Sequence, residues 1–341
     1  MVKKKTRVGV LGATGFTGEK LVDILIKHPN VEVCYLASRT EKPVYYSDLF
    51  ACFSNKTNLK CEPLSIEKSL KKCDFLFLSL PHTVSMKFVP YLLKAKKKVV
   101  DLSADYRLQD SEEYKKYYRA LHEDKKNLKK AVYGLPELYK VAIGKAQLVA
   151  NPGCYPTSMI LPLFPLLKEG LIELKVVIDS KSSITGAGKK AIIDYHYINV
   201  SNNIWAYKPF THQHVPEAVN ILKAKTQKEV DISFTPHVVG IDAGIYSTIY
   251  VWFKKKVKSS QLFDLYQKHY RNCPFVRIKN NLPKLKEVVG SNYCDIGFEL
   301  NENGKQAVVV SCIDNLIKGA AGQAVENMNI MLGCDQTTGL Q

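Results

Sequence analysis

The sequence predicts an α/β protein in two parts: a doubly wound, parallel-sheet domain, then an α+β domain built on a mixed sheet. Three observations predict it. A glycine-rich turn, "GATGFTG", lies between an apolar strand and an amphipathic helix near the start. Strand and helix patterns then alternate to about residue 150, as in a parallel sheet covered by helices on both faces. Beyond that point the segments turn β-rich and partly alternating, which suits a mixed or antiparallel sheet.

Taken in order, Arg7–Leu11 reads as a buried strand, and the glycine turn follows it. The next helix carries Leu21, Val22, Leu25 and Ile26 on one face and stops near Pro29. "VEVCYLAS" is the second strand and closes a βαβ unit of about 30 residues. "CDFLFLSLP" and "KVVDLSA" are further short strands, with a helical "TVSMKFVPYLLKAKK" between them. The second domain offers the strands "LKVVIDSKSSI", "EVDISFTPHVVG", "GIYSTIYVWFKKKV" and "AVVVSCIDN" and the helix "SSQLFDLYQKHYRNC". The tail "IKGAAGQAVENMNIMLG" is a helix with small residues on one side. The boundary between 1–150 and 151–315 falls beside Cys154, and sites commonly lie where domains meet.

Composition narrows the function classes. A chain of 341 residues with 46% hydrophobic and 24% charged residues is of globular type. No run reaches the roughly 18 apolar residues of a membrane span, and the basic start lacks the apolar core of a signal peptide. Nine cysteines without a CxxC pair indicate neither a disulfide framework nor a zinc site, so a reducing cytoplasm is expected. The net charge of +17 comes from scattered lysine groups at 3–5, 94–98, 125–130 and 254–258. They lack the interleaved aromatics or helix-turn-helix spacing of a nucleic-acid binder. Solvated faces and attraction of a phosphorylated, acidic small molecule are the reading; no nucleic acid and no membrane are expected as partners.

The chemistry starts at the turn Gly12, Ala13, Thr14, Gly15, Phe16, Thr17, Gly18. The first glycine permits a tight turn, backbone beside it can approach a pyrophosphate at the helix start, and the last lets helix and strand pack closely. An NAD site expects an acid at the end of the second strand; this chain has Ser38 and Arg39 there. An arginine can hold a 2′-phosphate, so NADP(H) is the expected coenzyme. Cys154, in "ANPGCYPTSM", stands at the start of an apolar helix with Pro156 in its first turn. A thiol there is biased toward thiolate by the helix dipole. A thiolate beside a nicotinamide suggests attack on an acyl phosphate to give a thioester, then hydride reduction to an aldehyde.

Such chemistry wants an acid–base group, and "THQHVPEAVN" offers His212 and His214, with Glu217 placed to orient an imidazole. No third His or Cys lies at metal spacing nearby, so no metal is expected. His82 ends a strand on the sheet's C-terminal side, where coenzyme contact and loop filler are equally supported. His28, His122 and His269 sit among lysines and read as surface residues.

Together these motifs resemble the N-acetyl-gamma-glutamyl-phosphate reductase family of arginine biosynthesis, within the aspartate-semialdehyde dehydrogenase-like group. The resemblance runs through "GVLGATGFTG", "LASRT", "DLSADYRL", "YGLPEL", "ANPGCYPTS", "DSKSSITGAGKK", "HQHVPE", "FTPH", "NYCDIGFEL" and "IDNLIKGAAGQAVENMN". It implies a Rossmann coenzyme domain over 1–150, rejoined by a C-terminal helix at 316–341. The catalytic and dimerisation domain over 151–315 would then form a homodimer or homotetramer. It makes Cys154 the nucleophile and His214 the acid–base residue, with Glu217 near it. Gly186, Ala187, Gly188 and Asn315 would lie close to the nicotinamide, and Arg107, His212 and Ser158 would contact substrate. Gln213, Lys189 and Ala243 stand where the family more often has arginine. The expected reaction is NADPH-dependent reduction of N-acetyl-gamma-glutamyl phosphate through a Cys154 thioester. The alternatives are the same chemistry on aspartyl phosphate or a carrier-linked aminoadipyl phosphate, and a non-catalytic NADP-binding sensor.

Overall fold

The structure, a computed structural model, describes residues 5–189 and 192–341. Lys3, Lys4 and Lys190 of the quoted motifs lie outside the described residues. The chain forms two compact units, Met1–Pro152 with Ala320–Gln341, and Gly153–Gly319.

The first unit holds a sheet of β1 (Thr6–Leu11), β2 (Val31–Ser38), β3 (Val44–Tyr45), β4 (Lys60–Pro63), β5 (Phe75–Leu78), β6 (Lys98–Asp101), β7 (Val132–Tyr133) and β8 (Leu148–Ala150). Its order is β3-β4-β2-β1-β5-β6-β8-β7, parallel except where β3 meets β4. The order reverses between β1 and β5, the position at which open parallel sheets form a ligand crevice. Every residue of β5, "FLFL", is buried, as a central parallel strand requires. One face packs Val8, Val10, Leu21, Phe75 and Phe77 with Val325 and Met328 of the helix Gly322–Leu332. The other packs Leu11, Leu76, Leu78, Val89 and Tyr106.

The tail corrects two expectations. The helix expected over 316–341 is a π-turn at Ile317–Ala321 followed by an α-helix that ends at Leu332, where Gly333 takes a left-handed φ of 68°. His28, read as a surface residue, is buried. Its Nδ1 accepts from the Asn30 amide, so Nε2 carries the proton and donates to Asn329 Oδ1 at 2.9 Å. Asn329 Nδ2 in turn donates to the carbonyls of Gln336 and Thr338, which pins the tail onto the sheet's helical layer. His122 is buried too, with Nε2 donating to the Asp105 carbonyl at 2.7 Å. His269 is half-buried beside Glu169. A lysine-rich neighbourhood in sequence says little about an imidazole whose own side chain turns inward.

The second unit is built on β9 (Lys175–Ser183), β10 (Ile204–Ala206), β11 (Asp231–Val239), β12 (Ile245–Trp252), β13 (Val276–Ile278), β14 (Cys294–Leu300) and β15 (Gln306–Ile313), in the order β10-β11-β9-β12-β15-β14-β13. The pairs β9–β11 and β13–β14 are parallel and the rest antiparallel. Burial alternates along β9, β11 and β12, so one face is fully covered and the other only partly. The helix Cys154–Lys168 is buried along almost its whole length despite Pro162 and Pro165. Pro165 has no N–H to give the Leu161 carbonyl, and the Tyr270 hydroxyl donates to that oxygen instead. Among the described residues, no helix is long and apolar enough to cross a membrane.

Candidate active site

In the first unit the glycine turn is shaped by close approach of backbone. Gly12 has φ +89°, and a Cβ there would lie 2.0 Å from the Ser79 carbonyl oxygen. A Cβ on Gly18 would lie 2.2 Å from the Gly12 oxygen, so helix and strand touch only because both lack side chains. The amides of Gly12 and Ala13 donate to the Ala37 carbonyl, which ties the turn to β2. Ala13 is fully buried and its carbonyl accepts from the Tyr46 hydroxyl at 2.7 Å, so it supports the turn from below. Thr14, Gly15, Phe16 and Thr17 are partly exposed at the start of the helix Phe16–Ile26, and a Cβ on Gly15 would be in ordinary contact with the Gly12 carbonyl oxygen, at 3.7 Å. That cradle fits a dinucleotide pyrophosphate at a helix N-terminus. Ser38 is buried at the end of β2 with its hydroxyl accepting from the Cys61 thiol, and Arg39 is exposed beside it.

Arg107 is half-buried in the same unit. Its Nε donates to the Asn151 carbonyl and its Nη2 to the Leu102 carbonyl, both at 2.8 Å, so the plane of the guanidinium is set by backbone.

In the second unit Cys154 is the first residue of the helix Cys154–Lys168, with Gly153 as its N-cap. The Gly153 amide donates to Glu217 Oε1 at 2.8 Å, and Glu217 is buried in the first turn of the helix His214–Thr226. A Cβ on Gly319 would lie 2.8 Å from the Cys154 Cβ, so the π-turn passes directly against the cysteine. Tyr155 follows the cysteine and meets the Tyr207 hydroxyl at 3.1 Å. The rings of His212 and His214 lie 5.3 and 5.9 Å from the Tyr155 ring and 4.7 Å from each other.

The two histidines differ in environment. His212 is buried, with Phe234 and Tyr207 also edge-on to its ring. Its Nδ1 accepts from the His214 amide at 3.1 Å, so the proton sits on Nε2. Burial, helped by nearby Lys208, pushes its pKa down to about 3. His214 opens its helix and is only half-buried.

Asn315 is buried and accepts at Oδ1 from the Ser183 hydroxyl and the Gly244 amide, while Nδ2 donates to the Thr185 hydroxyl. It therefore underpins the turn Ile184–Ala187, which exposes Gly186, Ala187 and Gly188. Ser158, expected to contact substrate, is fully buried. Its hydroxyl bonds to that of Ser247 at 2.9 Å, and Ser247 bonds to Ser180. It belongs to the seam between helix and sheet, because one helical turn beyond Cys154 the chain already faces the strands. Gly319 and Tyr155 adjoin Cys154, and Tyr207 adjoins Tyr155; the motif reading singles out none of the three. The signal for Gly319 is a glycine among small residues in "IKGAAG", a pattern that marks close backbone packing. Among the described residues, no three His, Cys, Asp or Glu side chains group as a metal cage.

Comparison with known proteins agrees with this layout. Residues 7–146 match the semialdehyde dehydrogenase NAD binding domain and residues 154–315 the semialdehyde dehydrogenase dimerisation domain. An N-acetyl-gamma-glutamyl-phosphate reductase of Alkaliphilus metalliredigens is 44% identical over 338 residues, 98% of each chain. One from Desulfotalea psychrophila is 43% identical over 339 residues, again 98% of each. The crystal structure of a Candida albicans aspartate semialdehyde dehydrogenase with NADP shares the fold at a TM-score of 0.72 and 17% identity, covering 96% of this chain and 99% of that one.

Proposed function

Since the chain belongs to the N-acetyl-gamma-glutamyl-phosphate reductase family, we propose that it reduces N-acetyl-gamma-glutamyl phosphate to N-acetylglutamate 5-semialdehyde and phosphate with NADPH. Cys154 is the nucleophile of this reading. Its sulfur bonds to the acyl carbon, the carbon–oxygen bond to phosphate breaks, and phosphate leaves with the electron pair, giving a thioester. NADPH, when bound, would supply the hydride for reduction of the acyl group to the aldehyde, with the Cys154 sulfur leaving as thiolate. Gly12, Gly15 and the start of the following helix would hold the pyrophosphate, Ser38 and Arg39 the 2′-phosphate, and Gly186, Ala187, Gly188 and Asn315 would complete the coenzyme set.

His214 is the proton carrier at the substrate oxygen. His212, with its pKa pushed down to about 3, stays neutral and holds the His214 backbone in place. Glu217 fixes the Gly153 amide, and so the register of Cys154 at the helix start. Arg107, its plane set by two carbonyls, is the anion anchor. The match of 154–315 to a dimerisation domain supports a homodimer or homotetramer, and nine cysteines that all remain thiols suit a reducing cytoplasm.

The observation that carries the reading is Cys154 at the start of a buried helix whose capping amide is anchored by Glu217. Phosphate-dependent NADP reduction tests it, with N-acetylglutamate semialdehyde beside aspartate semialdehyde. A higher kcat/KM for the acetylated substrate is expected. Preference for aspartate semialdehyde would move the protein to the aspartyl reading.

A further inference from the structure

The helix Ser85–Lys94 begins without a local cap, because its N-cap residue is Val84, whose side chain accepts no hydrogen bond. The missing acceptor comes from another segment. Asp105 is fully buried, and its Oδ2 accepts from the Met86 amide at 3.1 Å. Its Oδ1 accepts from the Thr83 amide at 2.8 Å and from the Tyr114 hydroxyl at 2.7 Å. Asp105 is itself held by its own amide, which donates to the Ser103 hydroxyl at 3.1 Å.

The loop gripped in this way is strained. Thr83 has φ +70°, a left-handed conformation that a β-branched residue adopts only when its surroundings enforce it. Next to it, His82 Nδ1 accepts from the Ala104 amide, so the loop is tied twice to the segment that carries Asp105. The loop follows β5, and its first residue, Ser79, has its carbonyl against Gly12 of the glycine turn. It therefore lines the crevice at the point where the sheet order reverses, opposite the cradle assigned to the pyrophosphate.

We propose that Asp105 is a positioning residue for coenzyme binding: it holds the 79–84 loop in the strained shape that forms the second wall of the dinucleotide crevice. The inference rests on the coenzyme reading above. Asp105 touches no reacting atom. It acts through the backbone of Thr83 and Met86, and the loop would relax if its carboxylate were replaced by a group that cannot accept at both oxygens.

Asp105→Asn in the full-length protein tests this, because the amide keeps the side chain's size but turns one acceptor into a donor facing a donor. NADPH affinity is read by quenching of intrinsic fluorescence, and Cys154 acylation by acyl phosphate without coenzyme is read by mass spectrometry. The Kd and KM for NADPH should rise about tenfold or more, with kcat at saturating coenzyme and the acylation rate within about twofold of wild type. If the variant fails to fold, Tyr114→Phe removes one donor alone and should raise the NADPH Kd about threefold, again without slowing acylation. Unchanged NADPH affinity in a folded variant overturns the inference, as does a parallel loss of coenzyme binding and acylation. Wild-type protein that does not bind NADPH would instead overturn the coenzyme reading itself.

Discussion

The Glu217 carboxylate accepts a hydrogen bond from the Gly153 amide at 2.8 Å, immediately before Cys154. Both residues are buried, so this bond is made away from solvent and joins the start of one helix to the start of another. Its removal would leave a buried amide unpaired at the residue that caps the helix begun by Cys154. Glu217→Ala should therefore cost about 1–3 kcal/mol of stability and slow Cys154 acylation strongly. Glu217→Gln, which keeps a neutral acceptor, should lose roughly tenfold in kcat/KM, since a neutral bond is about half as strong as a charge-assisted one. Urea unfolding and single-turnover acylation check both. Wild-type acylation in the alanine variant would remove Glu217 from the site.

Cys154→Ser should abolish turnover while leaving NADPH affinity near wild type. A hydroxyl of ordinary acidity is a poor nucleophile here, and an ester accepts hydride less readily than a thioester. Mass spectrometry of wild-type protein mixed with acyl phosphate should place the adduct on Cys154. An adduct elsewhere, or an active serine variant, defeats the mechanism.

The two histidines should separate cleanly. His214→Asn should slow the chemical step by roughly 10²–10⁴-fold, the range for general acid–base catalysis. His212→Asn should slow it less, because an imidazole with its pKa pushed down to about 3 carries no exchangeable charge near neutral pH. Single-turnover rates decide the order, and a larger loss at His212 would reverse the assignment.

Coenzyme choice should rest on Arg39, exposed at the end of β2 beside Ser38. A charge-assisted hydrogen bond to the 2′-phosphate is worth about 1.5–3 kcal/mol, so NADPH should be preferred over NADH by roughly ten- to a hundredfold. Arg39→Ala should erase most of that preference through NADPH alone. Measuring kcat/KM for both coenzymes checks it, and equal use by wild type would make Arg39 an ordinary surface residue.

Acid should destabilise the fold through buried imidazoles. His212 has its pKa pushed down to about 3 in the folded chain, and His28 and His122 are also lowered, in each case chiefly by burial. Because the folded value lies below the unfolded one, the unfolded chain binds the extra proton first. Stability is therefore full above about pH 6.5 and falls as the pH drops toward 3. For His212 alone the loss is about 1.4 kcal/mol per pH unit, or about 2 kcal/mol at pH 5. Thermal unfolding between pH 7.5 and pH 5 should show this slope, and His212→Gln should flatten part of it. A pH-independent Tm over that range would contradict the burial argument.

The fold class was legible because its signals are local. The strand–glycine turn–helix run from Thr6 to Ile26, the all-apolar "FLFL" of β5 and the alternating burial of β9 and β11 each follow from a few neighbouring residues and the period of a helix or strand. Cys154 could be read at a helix start for the same reason. Tertiary packing decided what those local patterns leave open. It buried His28 and His122, closed the C-terminal helix at Gly333, and spent the Ser158 hydroxyl on the sheet. It gave His212 and His214 different environments although they share one motif. It also set Glu217 against Gly153, 64 positions apart, and Asp105 against Thr83, 22 positions apart. A helix or strand period fixes which face a side chain takes, whereas the partner on that face depends on which distant segment the chain packs there.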